Sequence, residues 1–164
     1  MNIQSCSIDN TLNNQKCQKF TNPSIADEML DAVGYVRDLM GKKVLETSFG
    51  SGVFLKRIIV RYISDSLSTG KTLNLISKGL SVDIFGFEVD ESLFKKTVSD
   101  LNEITDQHNI PRVKWALFCH DALSFDYHTK FDFVVGNPPY LNYKNNGAEI
   151  RAILRNSFES CKYG

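Results

Sequence analysis

Lys43-Val44-Leu45-Glu46-Thr47-Ser48-Phe49-Gly50-Ser51-Gly52-Val53-Phe54-Leu55 changes character twice in a short space. Lys43 to Glu46 reads as a short strand, Thr47 to Gly52 as a turn, and Val53 to about Ser64 as a helix. Phe54, Leu55, Ile58, Ile59, Tyr62 and Ile63 give that helix a buried stripe at helical spacing. The unit is strand, glycine-rich turn, helix. Gly50 and Gly52 let the backbone pass close to a ligand with no Cβ in the way. The helix start adds unpaired N–H groups. Glu46 closes the strand with a carboxylate, which disfavours a phosphate at the turn and favours a cation. There is no Lys after a second glycine, as a P-loop needs, and no third glycine as in G-x-G-x-x-G.

Upstream, residues 1–18 are rich in Asn, Gln and Ser and lack periodicity, so a flexible arm is expected there. Residues 19–164 are expected to form the folded part. Phe20-Thr21-Asn22-Pro23-Ser24 opens a helix whose Ile25, Met29, Val33, Val36 and Met40 recur at helical spacing, with Gly41 as its stop. Thr21 and Pro23 either cap that helix or overhang a ligand. Downstream, residues 65 to 80 form a long polar connection, with an extended or helical piece around Leu73 to Ser77. Val82 to Glu88 is the second strand, and a helix follows from Glu91 to Gln107 with Phe94, Val98, Leu101 and Ile104 inward. Glu88 ends that strand in a position to accept hydrogen bonds from a ribose diol, and Asp90 caps the helix. Val113 to Phe118 is the third strand. Asp121 lies past its end, as an acceptor for an adenine amino group or as an ordinary turn acid.

The fourth strand, Phe131 to Gly136, runs into Asn137-Pro138-Pro139-Tyr140. Asn-Pro-Pro is also ordinary loop chemistry. Its alternative use is more specific. An exocyclic amine conjugated to a ring is a poor nucleophile, because its lone pair is delocalised. Two acceptors on its two hydrogens pull the nitrogen toward tetrahedral geometry. The Asn137 side-chain oxygen and the Pro138 carbonyl are such a pair. Proline stiffens the corner and cannot donate, and Tyr140 offers a face for a flat ring. Four strands alternating with helices argue for a parallel α/β sheet. Glu46 with its glycines, Glu88, Asp121 and Asn137 then all fall at strand carboxyl ends, where open α/β sheets bind ligands.

These residues together resemble the amino-terminal part of the catalytic domain of the S-adenosylmethionine-dependent N6-adenine DNA methyltransferases, in the motif order of the gamma class. Phe20-Thr21-Asn22-Pro23 resembles the first cofactor-side motif. Glu46 to Leu55 resembles the acidic Gly-x-Gly-x-Phe loop, with Thr47 and Phe49 in place of the more usual Pro and Cys or Ala. The resemblance covers about residues 20 to 145. It implies a Rossmann-like three-layer α/β sandwich, truncated after the fourth parallel strand and its following helix (about Ala148 to Ser160). A separate target-recognition domain is then absent. It implies S-adenosylmethionine held by Thr21, Pro23, Glu46, Ser48, Gly50, Gly52, Glu88, Asp121 and Pro139. It implies Asn137 and Pro138 accepting from the target amine, and Tyr140 stacking on an adenine flipped out of double-stranded DNA. DNA would then be reached through a missing carboxyl-terminal region or a partner subunit. Methylation of rRNA or of a release-factor glutamine is the enzymatic alternative. A non-catalytic fragment that binds cofactor or a partner chain is the other.

The bulk properties narrow the class without choosing the reaction. At 164 residues and 42% hydrophobic content the chain can bury one real core. The formal net charge of +0 gives no support to a basic nucleic-acid face. No apolar run is long enough to span a bilayer. Cys6, Cys17, Cys119 and Cys161 lack C-x-x-C spacing, and His108, His120 and His128 lack ligand spacing. Free thiols, a cytoplasmic location and no metal site are therefore expected.

Overall fold

Each strand of the sheet is short and apolar, and each delivers its carboxyl end to a loop carrying a polar group. The computed structural model describes residues 21–138 and Ala152. The arm over 1–18, Pro139, Tyr140 and, apart from Ala152, the helix expected after them lie outside the described residues. In chain order the elements are α1 (Pro23–Ala32), β1 (Val44–Glu46), α2 (Val53–Ser68), α3 (Leu73–Asp83), β2 (Ile84–Phe87), α4 (Glu91–Gln107), β3 (Ala116–Phe118) and β4 (Phe133–Val135). The strands form one parallel sheet in the order β3-β2-β1-β4. Glu46 pairs with Gly86 on one side and Val135 on the other, so the carboxyl ends of β2, β1 and β4 are level.

Side chains alternate across the sheet, as a pleated strand requires. Val44, Ile84, Leu117 and Val135 join the main core with the buried faces of the helices. Leu45 and Phe87 point to the other face, where they meet Ala122 with Phe85, Phe118, Phe125 and Phe131 around them. All six apolar residues expected in the α2 stripe are buried.

The first helix differs from the sequence expectation. It ends at Ala32, and its buried residues are Ala26 and Leu30. Ile25, Met29, Val33 and Val36, expected inward, are 40–52% exposed. Two causes are visible. Gly34, at φ +80°, stops the helix seven residues before the expected Gly41: Gly34 N–H donates to Asp31 O and Tyr35 N–H to Leu30 O, a Schellman cap. Ion pairs then set the rotation. Asp27 accepts from both Arg57 and Arg61 of α2, and Asp31 accepts from Arg61 at 2.5 Å. These turn the face of Ala26 and Leu30 toward α2.

The connection over 65 to 80 is mostly helical: α2 runs to Ser68, and α3 starts at Leu73 and continues through Asp83. The second strand therefore starts at Ile84 rather than Val82, and Val82 is 51% exposed. Asp83 is buried at the junction, where Oδ2 accepts from the Tyr62 hydroxyl (2.6 Å) and the Gly41 N–H (2.7 Å). The third and fourth strands are shorter than expected. α4 spans the expected residues, with Asp90 as its cap, accepting from the Ser92 and Leu93 N–H groups.

Candidate active site

The loop after β1 is fixed by bonds to the end of β2 and to α4. Phe49 N–H donates to Phe87 O at the end of β2 (3.0 Å), and Gly50 N–H to Glu88 Oε2 (2.7 Å). The Thr97 hydroxyl of α4 donates to Gly50 O (2.9 Å). Gly50 and Gly52 both have positive φ, +52° and +72°, which favours glycine at each. They differ in surroundings. A Cβ on Gly50 would meet open space, whereas one on Gly52 would strike the Thr97 methyl group. Close packing against α4 therefore explains Gly52, and Gly50 faces the open side of the loop.

Glu88 is 5% exposed, and both of its carboxylate oxygens are engaged: Oε2 by Gly50 N–H, Oε1 by Asp90 N–H at 2.8 Å. Each carboxylate oxygen can accept more than once, so these bonds leave acceptor capacity. The residue expected to meet a sugar is thus also a pin between the glycine loop and β2.

Glu46 is 2% exposed, and its Oε2 has no hydrogen-bond partner among the described residues. Burial pushes its carboxyl up from an ordinary value of 4.5 to about 8, the Leu55 N–H in the first turn of α2 pulls it down, and the nearby Glu88 charge raises it. A buried carboxyl with an unpartnered oxygen is a waiting site for a cationic or N–H donor group. Gly136 lies beside it, with a Cβ built there falling 3.6 Å from Glu46 Cγ.

Asn137 follows Gly136 and is half-buried. Its Nδ2 donates to the Thr21 hydroxyl oxygen at 3.3 Å, which leaves the side-chain Oδ1 as an acceptor. Pro138 is exposed. Thr21 and Asn137 are thus brought together, as are Glu88 and Gly50, with Glu46 on the strand between β2 and β4. Ser48 is half-buried in the loop, and Pro23 is exposed in the first turn of α1. Asp121 is exposed, and its side chain accepts from Leu123 N–H (3.0 Å), capping a 3-10 turn over Ala122–Ser124. Thr97 escaped the sequence reading. Its one signal is a polar residue on the inward face of α4, between Phe94 and Leu101.

Among the described residues no group of three or more His, Cys, Asp or Glu could hold a metal, and no helix is long and apolar enough to cross a membrane.

A parallel sheet in this order, with a glycine loop after the first strand and polar groups at the carboxyl ends, is the Rossmann-like α/β fold of methyltransferases. Two solved structures share it at low sequence identity. A modification subunit described as belonging to a type I restriction enzyme of Vibrio vulnificus YJ016 matches 78% of this chain and 25% of its own, at TM-score 0.52 and 16% identity. SMU.472, described as a methyltransferase complexed with SAH, matches 85% of this chain and 40% of its own, at TM-score 0.51 and 15% identity. The chain belongs to the Eco57I restriction-modification methylase family, whose model matches residues 51–164. Among curated proteins it is 32% identical over 134 residues to the type II methyltransferase M.BstVI of Geobacillus stearothermophilus, covering 74% of this chain and 24% of the relative. It is 31% identical over 150 residues to M.XhoI of Xanthomonas vasicola, covering 86% and 27%. The chain therefore spans about a quarter of the length of these relatives.

Proposed function

We propose that this chain carries the cofactor site and catalytic corner of a restriction–modification methyltransferase that methylates the exocyclic amine of adenine in DNA. The observation that carries the reading is the Asn137 carboxamide at the end of β4, with Nδ2 committed to Thr21 and Oδ1 left to accept. Family membership supports methyl transfer, and the Asn-Pro-Pro-Tyr sequence supports an amine as acceptor.

The residues present suit S-adenosylmethionine. Glu46 keeps a buried oxygen without a partner among the described residues, which fits a positively charged or N–H-bearing group, and Gly50 has open space beside it. Glu46, Ser48, Gly50, Gly52 and Glu88 would hold the cofactor, with Thr21, Pro23, Asp121 and Pro139 around it. When bound, it supplies an electrophilic methyl group on a positively charged sulfur. The protein's own task is to prepare the amine. Asn137 Oδ1 and the Pro138 carbonyl each accept one amine hydrogen, which frees the nitrogen lone pair from the ring. Tyr140 stacks on the extruded base, and positioning replaces a strong base.

The test is methyl transfer from tritium-labelled S-adenosylmethionine to duplex DNA, to DNA with a mismatched adenine that is cheap to extrude, to rRNA and to a release factor. The labelled DNA is digested to nucleosides. N6-methyladenine, most abundant with the mismatched substrate, is the expected product. Label in N4-methylcytosine, rRNA or glutamine instead would contradict the reading.

A further inference from the structure

Thr21 and Asn137 lie 116 residues apart and meet through one hydrogen bond. The position of Thr21 is fixed from its carboxyl side. It precedes Asn22, whose side-chain oxygen accepts from Ser24 N–H and from the Ser24 hydroxyl, both at 3.0 Å. Pro23 restricts Asn22 to an extended backbone, observed at φ −69° and ψ 135°. One turn further, Asp27 is clamped by Arg57 and Arg61, and Arg61 also donates to Asp27 O (3.1 Å) and Tyr35 O (3.2 Å). The start of α1 is therefore held on α2, which is packed on the sheet that carries Asn137.

A free carboxamide can turn by half a revolution and present either its oxygen or its NH2 to a substrate. Only the oxygen can accept from an amine. Resting on the amine-methylation reading above, we infer that Thr21 is a positioning residue. Its hydroxyl oxygen accepts from Asn137 Nδ2 and so keeps Oδ1 turned toward the target amine. The hydroxyl retains its own proton for a second bond. A valine there matches the shape but accepts nothing; a serine keeps the acceptor.

The experiment uses the full chain, nitrogen-15 labelled, as wild type, Thr21→Val and Thr21→Ser. The Asn137 NH2 signals are identified by their loss in Asn137→Asp, and backbone spectra check the fold of each variant. In Thr21→Val the Asn137 side-chain N–H should exchange roughly three- to tenfold faster, as loss of one ordinary hydrogen bond predicts. In Thr21→Ser it should stay near wild type. In the transfer assay Thr21→Val should lower kcat roughly ten- to a hundredfold, beyond any change in cofactor KM, the size expected when a reacting group is misplaced, and Ser should restore it. Unchanged exchange in Thr21→Val, or a loss confined to cofactor KM, would overturn the inference. Wild-type protein that transfers no methyl group, with the exchange effect intact, would sink the functional reading alone.

Discussion

Glu46 is the residue whose charge state decides how the site meets a cation. Its carboxyl is raised by burial to about 8, so near neutrality it is mostly protonated in the ligand-free protein. A cationic ligand needs the carboxylate. S-adenosylmethionine binding should therefore release a proton and strengthen roughly tenfold per pH unit up to about pH 8, then level off. Calorimetry in two buffers of different ionisation heat reads the proton directly, and Glu46→Gln should abolish both effects. Stability carries the opposite slope. The folded protein holds this proton where the unfolded chain, with a carboxyl near 4.5, has lost it. The contribution is complete below that value and is lost as pH rises through about 8. Urea unfolding between pH 6 and 9 should show the decline in wild type and a flatter profile in Glu46→Gln.

At the scale of elements, the glycine loop and the junction between α3 and β2 each depend on one small set of contacts. Gly52→Ala meets both a left-handed backbone and the Thr97 methyl group, and should cost ~2–4 kcal/mol. Gly50→Ala meets only the backbone term, ~1–2 kcal/mol. Adding Thr97→Ser, which removes the methyl and keeps the hydroxyl, should recover part of the Gly52→Ala loss in a double-mutant cycle. Asp83→Ala leaves the Tyr62 hydroxyl and Gly41 N–H without their acceptor and should cost ~2–4 kcal/mol by urea unfolding. The elements also explain which parts of the fold could be read in advance. α2 and α4 each have one dominant apolar stripe, so their periodicity was enough. α1 has two, Ile25-Met29-Val33 and Ala26-Leu30. The choice is made by Asp27 and Asp31 reaching Arg57 and Arg61, partners 30 residues away that periodicity does not register. α3 runs unbroken through Gly79, which looks like a turn in sequence. In the fold it is the gap that admits the Tyr62 ring, whose hydroxyl a Cβ would strike.

For the molecule as a whole, the parallel sheet gathers residues from distant parts of the chain along one edge. That gathering was readable, because strand-end acids, glycines and Asn137 are marked by their place after apolar runs. Their bonds were not. Glu88 pinning Gly50, Thr97 holding the same residue from α4, and Thr21 meeting Asn137 depend on how loops close in three dimensions. On the proposed reading the site has two parts, a cofactor side around β1 and β2 and an amine side at the end of β4. The two should be separable by mutation. Titration calorimetry of S-adenosylmethionine into wild type, Glu88→Ala and Asn137→Ala tests this most directly. The account predicts that Glu88→Ala, which loses both a ligand acceptor and the loop's anchor, removes detectable binding, while Asn137→Ala stays within about threefold of wild type, a loss no larger than one ordinary hydrogen bond. Equal losses in the two variants, or full binding in Glu88→Ala, would contradict it.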